Sequence, residues 1–312
     1  MKPAFTPIRE CWICGASALT RVHDASFELG EYRSQDPELA AYSGESVGIV
    51  QCAACGFAQP SALPVLARYF ERLYDQRWSR DWIEREHDGT YKDLIFTDVI
   101  RQLQARVRKP HRRLLDIGSH AGRFLVLARR AGWDVEGLEL NPSTAAFAAA
   151  ACGARIHHGS IRAFETDGER FDAITMTDVL EHVPEPRLIL RKARTLLEPG
   201  GWLAIKVPNA PAQRLKERGR AHVRAGYRAA LADNLVHVSH FSAASLRAAL
   251  AREAFDEIAI SAGAPELPPN GTLAALADRA LRLGTFRTAR VLPGGVHTPL
   301  ALNLQAYARR PR

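Results

Sequence analysis

The amino-acid sequence predicts an α/β protein built on a doubly wound, mostly parallel sheet, with a small cysteine-bearing module in front of it. From residue 112 onward, short apolar runs alternate with helical runs, which is the order of elements in a parallel sheet covered by helices on both faces. The first apolar run leads directly into a glycine-containing turn and a helix. Four of the five cysteines lie in the first 55 residues, outside this pattern.

The predicted strands and helices follow one another regularly. RRLLDIG is predicted as a buried strand and GRFLVLARRAG as a helix, and DVEGLEL and NPSTAAFAAAACG repeat the pair. The second helix has Asn141 as its N-cap, Pro142 at its first position and Gly153 after its end. A short strand at 154–157, the strand FDAITMTDV, the helix EPRLILRKARTLLEPGG and the strand WLAIKVPN follow. Further on, SAASLRAALAREAF is predicted as a helix, and FDEIAISAG and LALNLQAYARR as strands.

Changes in composition predict three regions. Residues 1–62 hold the cysteines, 63–110 are helical and rich in aromatic residues, and 111–312 hold the alternating strands and helices. Within the last region, 210–236 is predicted as a polar, basic helical insertion. Residues 264–298 are rich in proline, glycine and arginine, and are predicted as a cap or loop around one helix near Leu273–Leu283.

Composition and charge restrict the class of protein. The chain has 312 residues, of which 46% are hydrophobic and 24% charged, as in ordinary globular proteins. No apolar run approaches the roughly 20 residues of a membrane helix, and the start MKPAFTPIREC lacks the apolar core of a secretory signal. We therefore expect a cytoplasmic protein with reduced cysteines. The net charge of +8 comes from scattered arginines, except for a basic patch between Arg214 and Arg228.

The strongest constellation is the run Leu114-Leu-Asp-Ile-Gly-Ser-His-Ala-Gly-Arg-Phe124, where the first strand meets the first helix. Ligands of doubly wound sheets bind at this edge. Gly118 allows a tight turn close to a ligand, and Gly122 opens the helix without a side chain in the way. The carboxylate of Asp116 can receive a positively charged amino group.

Two classes of cofactor compete for this turn. A dinucleotide turn has the pattern G-x-G-x-x-G, but the second and third glycine positions are occupied here by His120 and Arg123. An acidic residue in the turn would also face the pyrophosphate. Glu139, at the end of the second strand, is a suitable acceptor for the hydroxyl pair of a ribose. The residues therefore favour a cofactor that carries a ribose and an amino acid.

Four segments, LLDIGSHAGRFL, GLELNPS, FDAITMTDVLEHVPEP and LLEPGGWLAIKVPN, resemble the successive motifs of class I S-adenosylmethionine-dependent methyltransferases. The resemblance covers about two-thirds of the chain. It implies a seven-stranded sheet with an antiparallel last strand, and a helical lid before the sheet. It also implies Leu140 against adenine, with Ser160 and Ile161 in the adenine turn where relatives often have an acidic residue. The cofactor-binding residues predicted in total are Asp116, Gly118, His120, Gly122, Phe124, Glu139, Leu140, Ser160, Ile161, Thr177, Asp178 and Tyr91.

The cysteines form two identical units, Cys11-Trp-Ile-Cys14-Gly and Cys52-Ala-Ala-Cys55-Gly. Two Cys-x2-Cys pairs predict a tetrahedral zinc site. Because the protein would fill all four positions, we expect a structural zinc. The combination with the sheet domain resembles bacterial sugar, polysaccharide and natural-product methyltransferases with an N-terminal zinc-binding module. The fifth cysteine, Cys152, is expected to pack in a helix.

Candidate catalytic residues follow the strand FDAITMTDV. His182 is the predicted general base for a hydroxyl acceptor, with Glu181 orienting it or the substrate. The alternatives are a divalent cation held by Asp178, Glu181 and His182, as in some members of the family, and a histidine that only packs the pocket. His237 and His240 form a second cluster that reaches the acceptor or anchors the following helix.

Aromatic residues precede the sheet domain. Tyr69, Tyr74, Trp78, Trp82 and Tyr91 are predicted for the lid region. Tyr91 is the one predicted to face the sulfonium, by cation–π attraction; the others are explained by helix packing.

The leading hypothesis is O-methylation of a small-molecule or glycan acceptor that uses S-adenosylmethionine. One alternative is C-methylation of a nucleotide-linked sugar. Another is an RNA-binding or RNA-modifying protein that uses the cysteine module and the basic patch, which would bind RNA with a steep dependence on salt.

Overall fold

The computed structural model describes residues 3–75, 79–223, 230–269 and 271–312. The strands are β1 Phe5–Pro7, β2 Leu19–Ser26, β3 Ser46–Cys52, β4 Ala58–Pro60, β5 Ala62–Pro64, β6 Arg113–Ile117, β7 Asp134–Glu139, β8 Arg155–His158, β9 Phe171–Thr177, β10 Leu197–Pro208, β11 Asp256–Gly263 and β12 Asn303–Arg309. The helices are α1 Pro37–Ala40, α2 Tyr69–Asp75, α3 Arg80–Asp88, α4 Asp93–Arg106, α5 Arg123–Arg130, α6 Pro142–Cys152, α7 Pro186–Leu196, α8 Ala210–Val223, α9 Ala243–Arg252 and α10 Leu273–Val291.

A seven-stranded sheet forms the centre of the larger part of the chain. Its strand order is β11-β12-β10-β9-β6-β7-β8. Strands β10, β9, β6, β7 and β8 run parallel to one another, whereas β12 is antiparallel to both β10 and β11. The sequence pattern of alternating strands and helices thus predicted the fold class correctly, and the antiparallel last strand agrees with the family resemblance.

Helices cover both faces of this sheet, and each face has its own apolar core. On one face, Leu115 and Ile117 of β6 pack with residues of α7 and α9. On the other face, Leu114 packs with residues of α4 and α5. Alternate residues of β6 therefore point into different cores, which explains why Leu114 and Leu115 are both apolar although they are adjacent in the strand.

The N-terminal module consists of β1 to β5 and α1. Strands β2, β3 and β4 form a three-stranded sheet, and β1 pairs with β5. Its core is aromatic, with Phe27 in contact with Tyr42 and Tyr69. The module contacts the larger part of the chain through the ring of Phe57, which lies 5.0 Å from that of Phe241.

Two helices end elsewhere than the sequence analysis expected. The helix predicted within residues 185–201 ends at Leu196, because Leu197 already pairs with Phe171 and the following Glu-Pro-Gly-Gly forms an irregularity inside β10. The helix expected near Leu273–Leu283 continues to Val291. Pro293 is the first residue beyond it that cannot continue a helix.

Some predicted features lie outside the described residues. Trp78 is one of them, and Arg224 and Arg228 of the basic patch are others. In the part of the chain that the structure describes, no helix combines the length and the apolarity that crossing a bilayer requires.

Candidate active site

The turn between β6 and α5 has the backbone shape that its glycines predict. Gly118 has φ +73°, and a Cβ on it would lie 2.5 Å from Cγ2 of Val179. Gly122 has φ +80° and is the N-cap of α5. Both positions therefore require glycine, for conformation and, at Gly118, also for space. The turn directs the N-terminus of α5 towards the edge of the sheet.

Asp116 lies at the bottom of this turn and is buried. Its Oδ1 accepts a hydrogen bond of 2.6 Å from Oγ1 of Thr175 on the neighbouring β9. Burial raises the pKa of Asp116 to about 7, and the charge of Glu139 adds to this, although the Thr175 bond works against it. A carboxylate in this setting is stabilised by a positively charged ligand group.

Glu139, at the end of β7, is held by two backbone amides. Its Oε2 accepts from the N–H of His120 at 2.8 Å, and its Oε1 accepts from the N–H of Asn141 at 2.9 Å. Each carboxylate oxygen has a second lone pair, so the side chain can still accept bonds from a pair of hydroxyls. The bond to His120 also fixes the turn against β7.

His120 contacts the lid region through its ring. Its ring lies edge-on to that of Trp82, 4.8 Å away. Burial lowers the pKa of His120 to about 4, and the charge of Lys92 lowers it further in the same direction. The histidine is thus a neutral contact between the turn and the lid helix α3.

A cavity beside the turn brings together six of the predicted cofactor-binding residues. They are Tyr91, Asp116, Gly118, His120, Phe124 and Thr177. Lid residues Glu86 and Lys92 line the same cavity, and the hydroxyl of Tyr91 donates to Oε2 of Glu86. Residues of the predicted lid region therefore line the same cavity as the turn.

The residues predicted for adenine lie along the next strand ends. The carbonyl of Leu140 accepts from Nε2 of His158 at 3.0 Å. Oγ of Ser160 accepts from the N–H of Arg162 at 3.1 Å, and Ile161 is buried. Ser160 thus stabilises its own turn.

Asp178 follows β9 and is bound to two lysines. Its Oδ1 accepts from Nζ of Lys206, and its Oδ2 lies 3.4 Å from Nζ of Lys92. Burial alone would raise the pKa of Asp178, but the charges of Lys206 and Lys92 hold it well below its usual range. Because these ion pairs already engage the carboxylate, Asp178 connects the sheet to the lid.

Glu181, His182 and His237 meet at the same edge of the sheet. One ligand atom from each lies within 4.8 Å of the others, and the rings of His182 and His237 are 4.8 Å apart. Nδ1 of His182 is 2.7 Å from the carbonyl oxygen of Val236 and 2.9 Å from the hydroxyl of Tyr74. A carbonyl only accepts hydrogen bonds, so Nδ1 carries the proton and Nε2 has the lone pair.

The other two members of this cluster are buried. Burial raises the pKa of Glu181 to about 8, and the charge of Asp178 adds to the rise. Among the described residues, Oε2 of Glu181 has no hydrogen-bond partner. Burial lowers the pKa of His237 to about 3, and the charge of His182 acts in the same direction.

His240 belongs to a different environment from His237. Its backbone pairs with Ala58 of the N-terminal module in both directions, at 2.9 and 3.1 Å. Its ring is buried near that of His23, and burial, then His23 and Arg214, lower its pKa to about 3. The backbone of His240 therefore joins the N-terminal module to the segment that precedes α9.

The four N-terminal cysteines form one cluster. Sγ of Cys11 lies 3.6 Å from that of Cys55, Sγ of Cys14 lies 3.4 Å from that of Cys52, and all four are within 4.8 Å of one another. Zinc–sulfur bonds of about 2.3 Å in a tetrahedron separate the sulfurs by about 3.8 Å. The cluster thus fits the predicted zinc site.

The two cysteine units also have the same turn geometry. Gly15 and Gly56 have φ +75° and +73°, and each donates its N–H to the carbonyl of the first cysteine of its unit, at 2.8 and 2.9 Å. The hydrogen bond from Cys55 lowers the pKa of Cys11 to about 5. Identical turns of this kind direct all four thiols to one point.

The sequence analysis did not single out several residues of the site. Lys206 is a buried lysine inside an otherwise apolar strand, which is a signal that the sequence contained. Lys92 gave no such signal, because it lies in a polar turn. Gly137 lies under the turn, where a Cβ would be 2.6 Å from Oγ of Ser119; a glycine inside an apolar strand indicates such a close approach.

A model of the family described as "Methyltransferase domain" matches residues 89–258, more than half of the chain. The chain belongs to this methyltransferase family. Among curated proteins it is similar to the ubiquinone biosynthesis O-methyltransferase of Xanthomonas campestris pv. campestris, with 33% identity over 131 residues, or 39% of this chain and 54% of the relative. The corresponding protein of Bordetella avium is 30% identical over 104 residues, or 31% and 43%. The chain spans about half the length of the curated relatives it matches.

Solved methyltransferase structures share the fold. A chain of the complex between the Haloferax volcanii Trm112 methyltransferase activator and the putative methyltransferase aligns with a TM-score of 0.51 and 17% identity, over 74% of this chain and 97% of that one. The plantazolicin methyltransferase BpumL in complex with SAH gives 0.50 and 17%, over 78% and 96%. Together with the family match, they confirm the resemblance to class I S-adenosylmethionine-dependent methyltransferases.

Proposed function

We propose that this protein transfers a methyl group from S-adenosylmethionine to a hydroxyl group of a small-molecule or glycan acceptor. The observation that carries the proposal is the hydrogen bond between Nδ1 of His182 and the Val236 carbonyl. Its Nδ1–H donates to the Val236 carbonyl at 2.7 Å, so Nε2 can accept a proton at the edge of the sheet where the cofactor turn lies. The curated relatives are named O-methyltransferases, which supports a hydroxyl acceptor.

The residues of the turn fit S-adenosylmethionine. When bound, this cofactor supplies a methyl group on a positively charged sulfur. The buried carboxylate of Asp116 would hold the amino group, and Glu139 would accept from the ribose hydroxyls. Gly118 and Gly122 leave room for the methionine part. The remaining residues proposed for the cofactor are His120, Phe124, Leu140, Ser160, Ile161, Thr177, Asp178 and Tyr91.

The residues around His182 support proton transfer. His237 is neutral because its pKa is lowered to about 3, so it does not repel His182 when that ring becomes positively charged. Glu181, with its pKa raised to about 8, is protonated at neutral pH and can donate a hydrogen bond to the acceptor. Nε2 of His182 then takes the proton that the acceptor hydroxyl loses, which makes the oxygen a nucleophile.

A divalent cation at Glu181, His182 and His237 is the second candidate for activating the hydroxyl. It is favoured by the three ligand atoms within 4.8 Å and by the unpaired Oε2 of Glu181 among the described residues. Two imidazoles and one carboxylate form a ligand set that suits several divalent metals. Asp178, which the sequence analysis included in this cation site, is already bound by Lys206 and Lys92.

We also propose that Cys11, Cys14, Cys52 and Cys55 bind a structural zinc. In this proposal, residues 1–62 form the zinc-binding module, 63–110 the lid and linker, and 111–312 the methyltransferase domain. The Sγ distances of 3.4 and 3.6 Å support the zinc. The ion would hold the two cysteine turns together and take no part in the methyl transfer.

Transfer of labelled methyl groups to a panel of phenols, sugars and glycans tests the proposed reaction. We expect the His182→Gln variant to lose about 10² to 10⁴ in turnover while its affinity for the cofactor changes by less than about twofold. His111→Gln, on the exposed residue before β6, is the matched control and should keep full turnover.

Three results would count against this assignment. Wild-type turnover in His182→Gln contradicts the general base. If a chelator abolishes turnover while the zinc content stays constant, the result favours a divalent cation over His182 as the group that activates the hydroxyl. A methyl group found on carbon by NMR of the product favours C-methylation.

A further inference from the structure

The segment 233–241 lies between the N-terminal module and the loop that carries Glu181 and His182. It begins within the 3₁₀ helix Ala230–Leu235 and leads to α9. Asn234 and Leu235 both have positive φ, +56° and +52°. Leucine rarely adopts this conformation, so the surrounding contacts must hold the segment in place.

The module side supplies one set of these contacts. Oδ1 of Asn234 accepts from the N–H of Glu28 at 2.6 Å, and Oδ1 of Asp233 accepts from the N–H of Ser26 at 3.0 Å. The hydroxyl of Tyr69 donates to the carbonyl of Asn234 at 2.9 Å. Leu235, which is fully buried, packs into the aromatic core of the module.

The other side of the segment contacts the proposed catalytic loop. The N–H groups of Val238 and Ser239 both donate to the carbonyl of Glu181, at 2.8 and 2.9 Å. Oγ of Ser239 donates to the carbonyl of Val183 at 2.8 Å. The carbonyl of Val236 is the acceptor for Nδ1–H of His182.

We infer that the N-terminal module positions the acceptor side of the active site, with Asn234 as the positioning residue that keeps the Val236 carbonyl against His182. The inference rests on the proposed role of His182 as general base. The chain of contacts runs from the module backbone at Glu28 through Asn234 to Val236 and the imidazole. The cofactor turn lies outside this chain of contacts. We therefore expect cofactor binding to be independent of Asn234.

The tautomer of His182, measured by ¹⁵N NMR of histidine rings in the full-length protein, tests this inference without an acceptor. Asn234→Gly removes the side-chain amide that bonds the backbone of Glu28, and glycine tolerates the positive φ. Asn234→Asp keeps the oxygen that accepts from the N–H of Glu28 at 2.6 Å and loses only the longer bond of 3.3 Å from Nδ2 to the Glu28 carbonyl. In the wild type and in Asn234→Asp we expect His182 in the Nδ1–H form. In Asn234→Gly we expect a mixture of the two neutral tautomers and amide exchange at least about tenfold faster at Val238 and Ser239.

A milder pair of variants covers the case in which Asn234→Gly fails to fold. Tyr69→Phe removes only the hydroxyl that donates to Asn234, and we expect a smaller change of the same kind. Tyr42→Phe, which removes a buried hydroxyl bonded to Ala4 in the same core, is the control and should leave His182 unchanged.

The outcomes separate this inference from the proposed function. If Asn234→Gly and Tyr69→Phe keep the wild-type tautomer and amide protection, Asn234 does not position His182. Affinity for S-adenosylmethionine should stay within about twofold in all four variants, and a loss in Asn234→Gly alone would also overturn the inference. If the wild type itself does not bind the cofactor, the proposed function fails, whatever the tautomer.

Discussion

Asp116 and Glu139 are both buried carboxylates at the cofactor turn, but they differ in their hydrogen-bond donors. Burial raises the pKa of Glu139 too, but the backbone N–H groups of Asn141 and His120 donate to it and oppose the rise. Asp116 accepts from one hydroxyl, that of Thr175, so burial dominates and its pKa rises to about 7. Without a positive ligand group nearby, Asp116 is close to half protonated at neutral pH.

Cofactor affinity should therefore depend on pH through Asp116. The cofactor's amino group is held by the charged carboxylate, and protons compete for it below pH 7. We expect the affinity for S-adenosylmethionine to fall as pH decreases from 8 to 5.5, by up to about tenfold per pH unit below the pKa. Titration calorimetry at several pH values measures this. Asp116→Asn should bind weakly and without this pH dependence; a wild-type affinity that is flat over the range would refute the role of Asp116.

At the scale of residues, the sequence revealed those whose chemistry depends on a local pattern. Gly118, Asp116 and Glu139 lie next to strand ends, so their placement followed from the predicted strands. The ion pairs of Asp178 could not be predicted from the positions of the strand ends. Lys206 comes from β10 and Lys92 from the lid, and only the fold brings both to the same carboxylate.

At the scale of elements, the predicted lid and the cysteine turns are each held by a few specific contacts. The lid is tied to the sheet domain by the N–H of Leu267, which donates to the carbonyl of Tyr91 at 2.8 Å, and by the ion pair of Arg123 with Asp93. The cysteine turns repeat the same hydrogen bond at Gly15 and Gly56. Their repetition made the cluster predictable from sequence, whereas the lid contacts join unrelated segments.

Metal analysis of the purified protein tests the cysteine cluster. We expect one zinc per chain, and loss of the metal in Cys52→Ser, because three thiolates and a serine bind zinc less tightly. Amide exchange should then increase in β2 to β4, which depend on the site, while β6 and β9 stay protected. Cys152→Ser, in α6, is the matched control and should keep its zinc. Zinc-free wild type, or unchanged zinc content in Cys52→Ser, would show that the cysteines are not the ligands.

At the scale of the whole molecule, the alternation of strands and helices was enough to predict a mostly parallel sheet, since parallel strands need crossover connections, which are usually helices. The docking of the N-terminal module was not predictable. Glu28 and Asn234 are 206 residues apart in sequence, and the pairing of Ala58 with His240 uses backbone atoms alone. Such contacts have no residue signature, so only the folded chain shows that the module reaches the proposed catalytic loop.

Equilibrium binding of S-adenosylmethionine, measured by titration calorimetry, tests the central claim most directly. We predict one cofactor per chain, with a dissociation constant on the order of micromolar. Asp116→Ala should weaken it by at least about tenfold, because it removes a buried charge partner. Asp256→Ala, on β11 at the surface, should bind as the wild type does. Absence of binding, or an Asp116→Ala variant with wild-type affinity, would contradict the account.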